Sequence, residues 1–112
     1  MTPLLNPLGE FEQIVLLAIL RLDDKAYGVS IRAEILACTH REPSPGALYT
    51  ALDRMEEKGF VRSWLGEATR QRGGRPKRYF AVTEDGRRSL IHAQRGYQSL
   101  LKGLNLLGGT NA

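Results

Sequence analysis

Apolar positions near the start of the chain recur with the spacing of an α-helix. Those that fall at i, i+3, i+4, i+7 and i+11 are Phe11, Ile14, Val15, Ala18 and Leu22. This spacing predicts a first helix from Gly9 to Leu22. Residues 16–20 add apolar side chains on the other faces, so the helix must be covered on more than one side. A partner subunit is one source of that second cover.

Two further helices are predicted before residue 60. After a turn at 23–25, the second runs from Tyr27-Gly28 to Cys38, and its apolar residues available to the core are Val29, Ile31, Ile35 and Leu36. The third has well-marked ends, because Ser44 is a good N-cap, Pro45 suits the first helical position and Gly59 follows the last turn. Its inward stripe is Leu48, Leu52 and Met55.

The outer face of the third helix is small and polar. It carries Gly46, Ala47, Tyr49, Thr50, Asp53 and Arg54. Side chains of this kind let a helix approach base edges in a major groove about 12 Å wide. Two alternatives stay open at Tyr49, which either contacts DNA or packs its ring on the second helix, and at Arg54, which either reaches the DNA backbone or pairs with Glu57. Ser44 both caps the helix and presents its N-terminus to a phosphate.

Two predicted strands follow, separated by a basic loop. Phe60–Leu65 and Lys77–Val82 are rich in aromatic and β-branched residues. Residues 62–78 contain six Arg or Lys and one Glu, a local charge of +5. Such a hairpin suits phosphate binding, although a merely solvated hairpin has the same composition. The candidates for phosphate or minor-groove contact are Arg70, Arg72, Arg75 and Lys77.

A last helix is predicted from Glu84 to Leu107, with Thr83 as its cap. Apolar residues recur there every seven positions in two series, which is a short heptad pattern and predicts a dimer interface. Together with a residue of the first helix, the interface residues are Phe11, Leu90, Ala93, Tyr97, Leu100, Leu104 and Leu107. Residues 1–8 are expected to form a loose arm, and residues 108–112 a disordered tail.

Composition narrows the class of protein. A chain of 112 residues with a net charge of +4 supports one soluble core. The longest apolar run, Ile14–Leu20, is far shorter than the roughly 20 residues of a membrane span, and no signal peptide is apparent. The single cysteine, Cys38, excludes an internal disulfide and indicates a cytoplasmic protein. Cys38 is expected to be a small buried hydrophobe, with a thiol sensor as the alternative.

Catalytic and metal-binding motifs are not apparent. His40 and His92 are isolated, and one cysteine supplies no metal-ligand set, so neither a metal nor a cofactor is predicted. The chain contains no nucleophile elbow, HExxH sequence or phosphate-cradling loop, and Gly73-Gly74 lacks the strand-to-helix setting of such a loop. These observations predict a binding protein rather than an enzyme.

The predicted order is three helices, a hairpin and a long helix, a mainly α fold with a small β-hairpin. It is the plan of a winged helix-turn-helix domain. Over residues 8–107 the chain resembles the PadR family of bacterial transcriptional regulators. The resemblance rests on five motifs in order: Tyr27-Gly28, Gly46-Ala47-Leu48-Tyr49 to Leu52, Glu57-Lys58-Gly59-Phe60-Val61, Gly74-Arg75-Pro76-Lys77-Arg78-Tyr79-Phe80 and Val82-Thr83-Glu84-Asp85-Gly86.

The resemblance implies a short family member, with a DNA-binding domain at 1–83 and a dimerisation helix at 84–107 packed on it. It also implies a homodimeric repressor that binds a pseudo-palindromic operator and releases it with a small hydrophobic effector. The apolar surplus of the first and last helices fits such an effector cavity and equally fits a filled dimer core. Two rival interpretations are a winged-helix module that binds a protein partner and an architectural binder without sequence preference.

Overall fold

The computed structural model describes residues 8–67 and 75–106, which form four α-helices and a two-stranded hairpin. A single 3₁₀ turn, Asp23–Lys25, joins the first two helices. The elements are α1 (Glu10–Leu22), α2 (Gly28–Thr39), α3 (Pro45–Glu57), β1 (Val61–Leu65), β2 (Arg78–Val82) and α4 (Glu84–Leu101). The predicted fold class, a winged helix-turn-helix with a long last helix, is confirmed.

Two predicted caps fix where α3 and α4 begin. The Ser44 hydroxyl accepts a hydrogen bond from the Ala47 backbone N–H at 3.0 Å, and the Thr83 hydroxyl accepts one from Gly86 at 3.0 Å. Each such bond satisfies a backbone donor that the helix leaves free, and stabilises the start of the helix by about 1 kcal/mol. The Thr83 hydroxyl also donates to the Gly59 carbonyl at 2.6 Å, so the start of α4 is tied to the end of the α3 segment.

One apolar core joins the helices to the hairpin. Its residues come from α1, α2, α3, both strands and the first half of α4, and they are Val15, Leu16, Ala18, Ile19, Ala26, Ile31, Ile35, Leu48, Leu52, Met55, Phe60, Val61, Phe80 and Leu90. The predicted inward stripe of α3 is confirmed, because all three of its members are fully buried. Phe80 is the largest of the fully buried side chains, and it brings the second strand into the helical core.

The hairpin is antiparallel and short. Its register runs from Val61 opposite Val82 to Leu65 opposite Arg78. At its base, the Phe80 N–H donates to the Ala26 carbonyl at 2.9 Å, and Tyr27 forms an isolated bridge with Tyr79. The strand is therefore held by the segment that leads into α2, as well as by the core.

The core face predicted for α2 was partly wrong. Val29 is 68% exposed, Leu36 is exposed, and Cys38 is exposed rather than buried. Apolar and polar residues are spread around this helix without a preferred side, so its sequence does not indicate which side is covered. In the structure only the side of Ile31 and Ile35 is buried. Between α1 and α2, the Arg21 guanidinium donates to Glu34 at 2.5 Å and lowers the pKa of that carboxyl. This exposed pair contributes little stability.

The last helix is shorter than predicted. It ends at Leu101 rather than Leu107, because Lys102 leaves the helical conformation and Gly103 takes a left-handed φ of 80°. Leu104 therefore follows the helix instead of continuing its heptad series. Leu107, the tail at 108–112 and residues 1–7 of the expected arm lie outside the described residues. Within the described residues, no helix is long and apolar enough to cross a membrane.

Replacing Phe80 by alanine is expected to lower the free energy of unfolding by about 3–5 kcal/mol, because it removes a fully buried ring and leaves a cavity. Urea unfolding at one fixed protein concentration measures this loss. The matched control is Leu65→Ala on the neighbouring strand, where the side chain is exposed and a change within about 0.5 kcal/mol is expected. Equal losses in the two variants would contradict the assignment of Phe80 to the core.

Candidate nucleic-acid interface

The outer face of α3 is a free surface of small and polar side chains. Every residue predicted for it is exposed in the structure: Gly46, Ala47, Tyr49, Thr50, Asp53 and Arg54. The loop before the helix is held by Arg32 of α2, whose Nε donates to the Pro43 carbonyl at 2.8 Å. The core side of α3 and this loop contact together fix the direction in which the outer face points.

Neighbouring elements border this face on two sides. On one side, the start of α1 and the Ala47, Thr50 and Arg54 positions line a groove of about 710 Å³. Phe11 lies in this groove, half-buried, beside the start of α3. At its end, the Lys58 ammonium lies 3.4 Å from the largely buried Glu12 carboxylate. On the other side lie the start of α2 and the base of the hairpin.

Tyr49 packs its ring over the start of α2. A Cβ added at Gly28 would lie 2.0 Å from the Tyr49 Oη and 2.8 Å from its Cζ, so only a glycine leaves room for the ring. Tyr49 nevertheless stays partly exposed. The structure therefore shows the packing alternative at this residue, and leaves one edge of the ring at the surface of the outer face.

Gly46 and Arg54 are unobstructed within the described part of the chain. A Cβ added at Gly46 would meet no atom within 4 Å, so its small size serves no packing purpose inside the chain. Arg54 forms no ion pair with Glu57 or with any other described residue. Both positions are open to a molecule that approaches α3 from outside.

Arg78 is the basic residue whose role the sequence did not indicate. Its guanidinium lies 2.7 Å from Glu56 and 3.6 Å from Asp53, both on α3, and its Nε donates to the Ser63 hydroxyl at 3.2 Å. The charge of Arg78 is thus used to hold the hairpin against α3. The sequence contained one signal for this role: Asp53 and Glu56 lie at i and i+3 on α3, and an arginine follows in a nearby strand.

The other cations of the hairpin differ in their surroundings. Arg75 is exposed, whereas the Lys77 ammonium lies 4.0 Å from the centroid of the Tyr27 ring. The Arg62 guanidinium lies 4.8 Å from the Trp64 ring. Arg70 and Arg72 lie outside the described residues. Among the described basic residues of the hairpin, Arg75 is exposed and forms no ion pair or ring contact with another described residue, so it is available to a phosphate.

Of the residues predicted for a dimer interface, Phe11 lies half-buried in the groove beside α3, and those described from Leu90 onward divide into two groups. Leu90 is buried in the core of its own chain, Ala93 is half-buried, and neither offers much surface to a partner. Tyr97 and Leu100 are 62% and 78% exposed, and Leu104 is exposed beyond the end of the helix. The far half of α4 therefore leaves two large apolar side chains, Tyr97 and Leu100, uncovered by its own chain.

The described residues contain no group of three or more His, Cys, Asp or Glu side chains that could hold a metal ion. What the surface presents is a helix face of small and polar side chains, open at Gly46 and Arg54, and a hairpin pinned beside it. Such a surface can place a helix against base edges and cations against the adjacent phosphates.

Comparison with known proteins agrees with this geometry. Similar structures include a transcriptional regulator from Clostridium thermocellum, 23% identical with a TM-score of 0.68 over 88% of this chain and 92% of that one. A PadR family regulator from Clostridium difficile is 27% identical, with a TM-score of 0.65 over 88% and 99%. A PadR-like regulator from Bacillus cereus is 21% identical, with a TM-score of 0.70 over 89% and 93%.

No curated protein sequence matches the chain significantly. The family model described as the transcriptional regulator PadR-like family matches residues 16–92, from the core of α1 to the middle of α4. That match takes in α2, α3, both strands and the cap of α4, which together build the surface described above. The chain belongs to the PadR-like family of transcriptional regulators.

Proposed function

We propose that the protein is a homodimeric, sequence-specific DNA-binding repressor of the cytoplasm. The observation that carries the proposal is the open outer face of α3 beside a hairpin that is pinned to the same helix. Helix α3 enters the major groove, where Thr50 and Arg54 reach base edges or the backbone. The hairpin acts as a wing and contacts the adjacent backbone or minor groove.

The start of α3 suits a close approach to DNA. Gly46 and Ala47 lie in its first turn, and neither carries a side chain that would keep a duplex away. The backbone N–H groups and the dipole of a helix N-terminus favour a phosphate at that end. Ser44, which caps this turn, lies where such a phosphate contact forms. Tyr49 adds a hydroxyl at the edge of the same surface.

The wing supplies the positive charge. Arg75 and Lys77 lead into the second strand, and the sequence places Arg70 and Arg72 in the same loop. Each phosphate contact in a complex with B-DNA adds about 0.9 to the magnitude of the slope of log K against log[salt]. A dimer that makes six to eight such contacts is expected to show a slope of about −5 to −7.

Dimerisation is inferred from the far half of α4. Every described residue from Arg95 to Leu100 is exposed, including two large apolar side chains. Most helical stability in proteins comes from packing of an apolar face, so cover by a partner would stabilise this end of α4. A second copy of the chain supplies an identical helix, and Leu17 of α1 offers further exposed apolar surface. Two-fold symmetry then predicts half-sites about 34–36 Å apart in a pseudo-palindromic operator.

Release of DNA by a small hydrophobic molecule is part of the proposal. A groove of about 400 Å³ lies between α1 and α2, within the usual size range of ligand pockets. Its apolar residues are Ile14, Leu17, Ala18 and Ile35. This groove lies on α1, one of the two helices expected to line the effector site of the dimer.

Binding to the chain's own upstream DNA and to scrambled DNA of equal length, over a series of salt concentrations, tests the proposed function. A preference of about 10³ or more for the upstream DNA is expected of a sequence-specific regulator. Equal, strongly salt-dependent binding to both would contradict sequence-specific regulation and favour an architectural protein. Absence of binding to either would favour the protein-interaction module.

Replacing Arg75 by glutamine is expected to reduce the magnitude of the salt slope by about 1.8, because a dimer loses two phosphate contacts. Fluorescence anisotropy of labelled upstream DNA measures the slope. The matched control is Arg88→Gln on α4, where the guanidinium already pairs with Glu84 and Asp85. A slope that does not change in the Arg75 variant would contradict a phosphate contact at this position.

Replacing Gly46 by alanine is expected to weaken binding of the upstream DNA about tenfold, because the added methyl group enters the space that the base edges of the DNA major groove would occupy. Stability is expected to stay within about 0.5 kcal/mol, since no atom of the chain lies near the new methyl group. Gly28→Ala is the contrasting variant: it displaces Tyr49 and is expected to lose about 1–3 kcal/mol in urea unfolding. Unchanged DNA affinity for Gly46→Ala would place Gly46 outside the interface.

Replacing Leu100 by aspartate is expected to convert a dimer to a monomer, because a charge would be buried at the centre of the helix contact. Analytical ultracentrifugation measures the mass, with two chains expected for the unmodified protein and one for the variant. Gln98→Asp adds the same charge two residues away, on the opposite side of α4, and is expected to stay dimeric. A monomeric unmodified protein would overturn the dimer.

A further inference from the structure

Three aromatic rings connect α2 to both strands of the hairpin. Tyr27 at the start of α2 contacts Tyr79 edge-on, with ring centroids 5.6 Å apart, and Tyr79 stacks on Trp64 with centroids 6.1 Å apart. These spacings lie within the range of favourable aromatic pairs. A cation covers each end of the series, Lys77 over Tyr27 and Arg62 over Trp64. We name these five residues the aromatic column.

The aromatic column lies outside the buried core. Trp64 is 38% exposed, Tyr27 and Tyr79 are half-buried, and the cluster of buried residues includes none of the three. These rings therefore do not serve to fill the interior. They lie instead along the surface between the start of α2, which supports Tyr49 of α3, and the point where the strands leave the domain.

The aromatic column also contacts the end of the hairpin that is nearest its loop. The Gly66 N–H donates to the Lys77 carbonyl at 2.7 Å, one pair beyond the last strand residues. A Cβ added at Gly66 would lie 2.6 Å from the Tyr79 ring. Only a glycine therefore lets that ring pack closely against the backbone at residue 66, just after β1. The ring of Tyr79 thus contacts the segment from which the basic loop departs.

The two faces of the hairpin are held by two different helices. Successive strand residues point to opposite faces, so Arg78 and Tyr79 act on opposite sides. Arg78 binds Asp53 and Glu56 of α3, whereas Tyr79 binds Tyr27 of α2. Phe80 and its N–H bond to the Ala26 carbonyl fix the base of β2, and the Tyr79–Trp64 stack lies one residue pair nearer the loop. Contacts on both faces define one direction for the hairpin relative to α3.

We propose that Tyr27 and Tyr79 are positioning residues for DNA recognition. Through the aromatic column they set the direction of the wing, so that its cations meet the backbone when the outer face of α3 is in register with the bases. This inference rests on the proposed function. Neither tyrosine has to contact DNA for this role, and removing either ring costs sequence selectivity rather than charge.

The test compares Tyr79→Leu, which removes the stacking, with Tyr79→Phe, which keeps the ring. Tyr79→Leu is expected to bind the chain's own upstream DNA about tenfold more weakly, the cost of one misplaced base contact. Its binding to scrambled DNA, and the salt slope of that binding, are expected to stay unchanged, because no cation is removed. Tyr79→Phe and the control Leu65→Ala, outside the column on the same hairpin, are expected to match the unmodified protein in every respect.

Trp64 provides an independent readout, since it is the only tryptophan of the chain. Loss of the Tyr79 ring exposes its indole, and a red shift of its emission is expected in free Tyr79→Leu but not in Tyr79→Phe. Urea unfolding establishes that the variants are folded. If Tyr79→Leu does not fold, Tyr27→Leu removes the edge contact from the helix side and replaces it in the DNA-binding assays.

Three results would overturn the inference. They are full selectivity of Tyr79→Leu, equal loss of binding to both DNAs, and a loss in Tyr79→Phe as large as in Tyr79→Leu. The last result would indicate a direct contact of the hydroxyl with DNA. An unmodified protein without preference for its upstream DNA would overturn the proposed function and this inference with it. A preference that is undiminished in Tyr79→Leu would overturn this inference alone.

Discussion

Burial of the Phe80 ring among the helices is the interaction on which the geometry of this protein depends. The ring is fully buried, and its backbone N–H donates to the Ala26 carbonyl, so the second strand is attached both to the core and to the segment before α2. An isolated two-stranded hairpin is marginal in water. The hairpin of this chain keeps a defined place because Phe80 makes it part of the same core as α3.

Charge on the hairpin is divided between structure and surface. Arg78 is committed to two acids of α3, while Arg75 is exposed and free to meet an external anion. A simple count of +5 over residues 62–78 gives both arginines equal weight. Their different roles arise because Arg78 lies in a strand beside α3, whereas Arg75 lies beyond the strand.

The far half of α4 shows the opposite situation, an apolar surface without cover. Leu90 is used within its own chain, but Tyr97 and Leu100 face solvent once the helix passes the end of the domain. The same helix is therefore a core element at its start and an exposed, partly apolar segment at its end, where we propose dimerisation. The family match extends to residue 92, so the part we assign to dimerisation lies largely beyond it.

The local sequence determined the features that depend on residues close together in the chain. The Ser44 and Thr83 caps, the Leu48–Leu52–Met55 stripe and the order of elements followed from patterns within one or two turns. The motifs also indicated the family and the exposed face of α3. Tertiary structure alone decided which side of α2 is buried, where α4 stops being covered, and that Arg78 and Tyr79 hold the hairpin. Those outcomes depend on contacts between residues far apart in the chain, which no local spacing encodes.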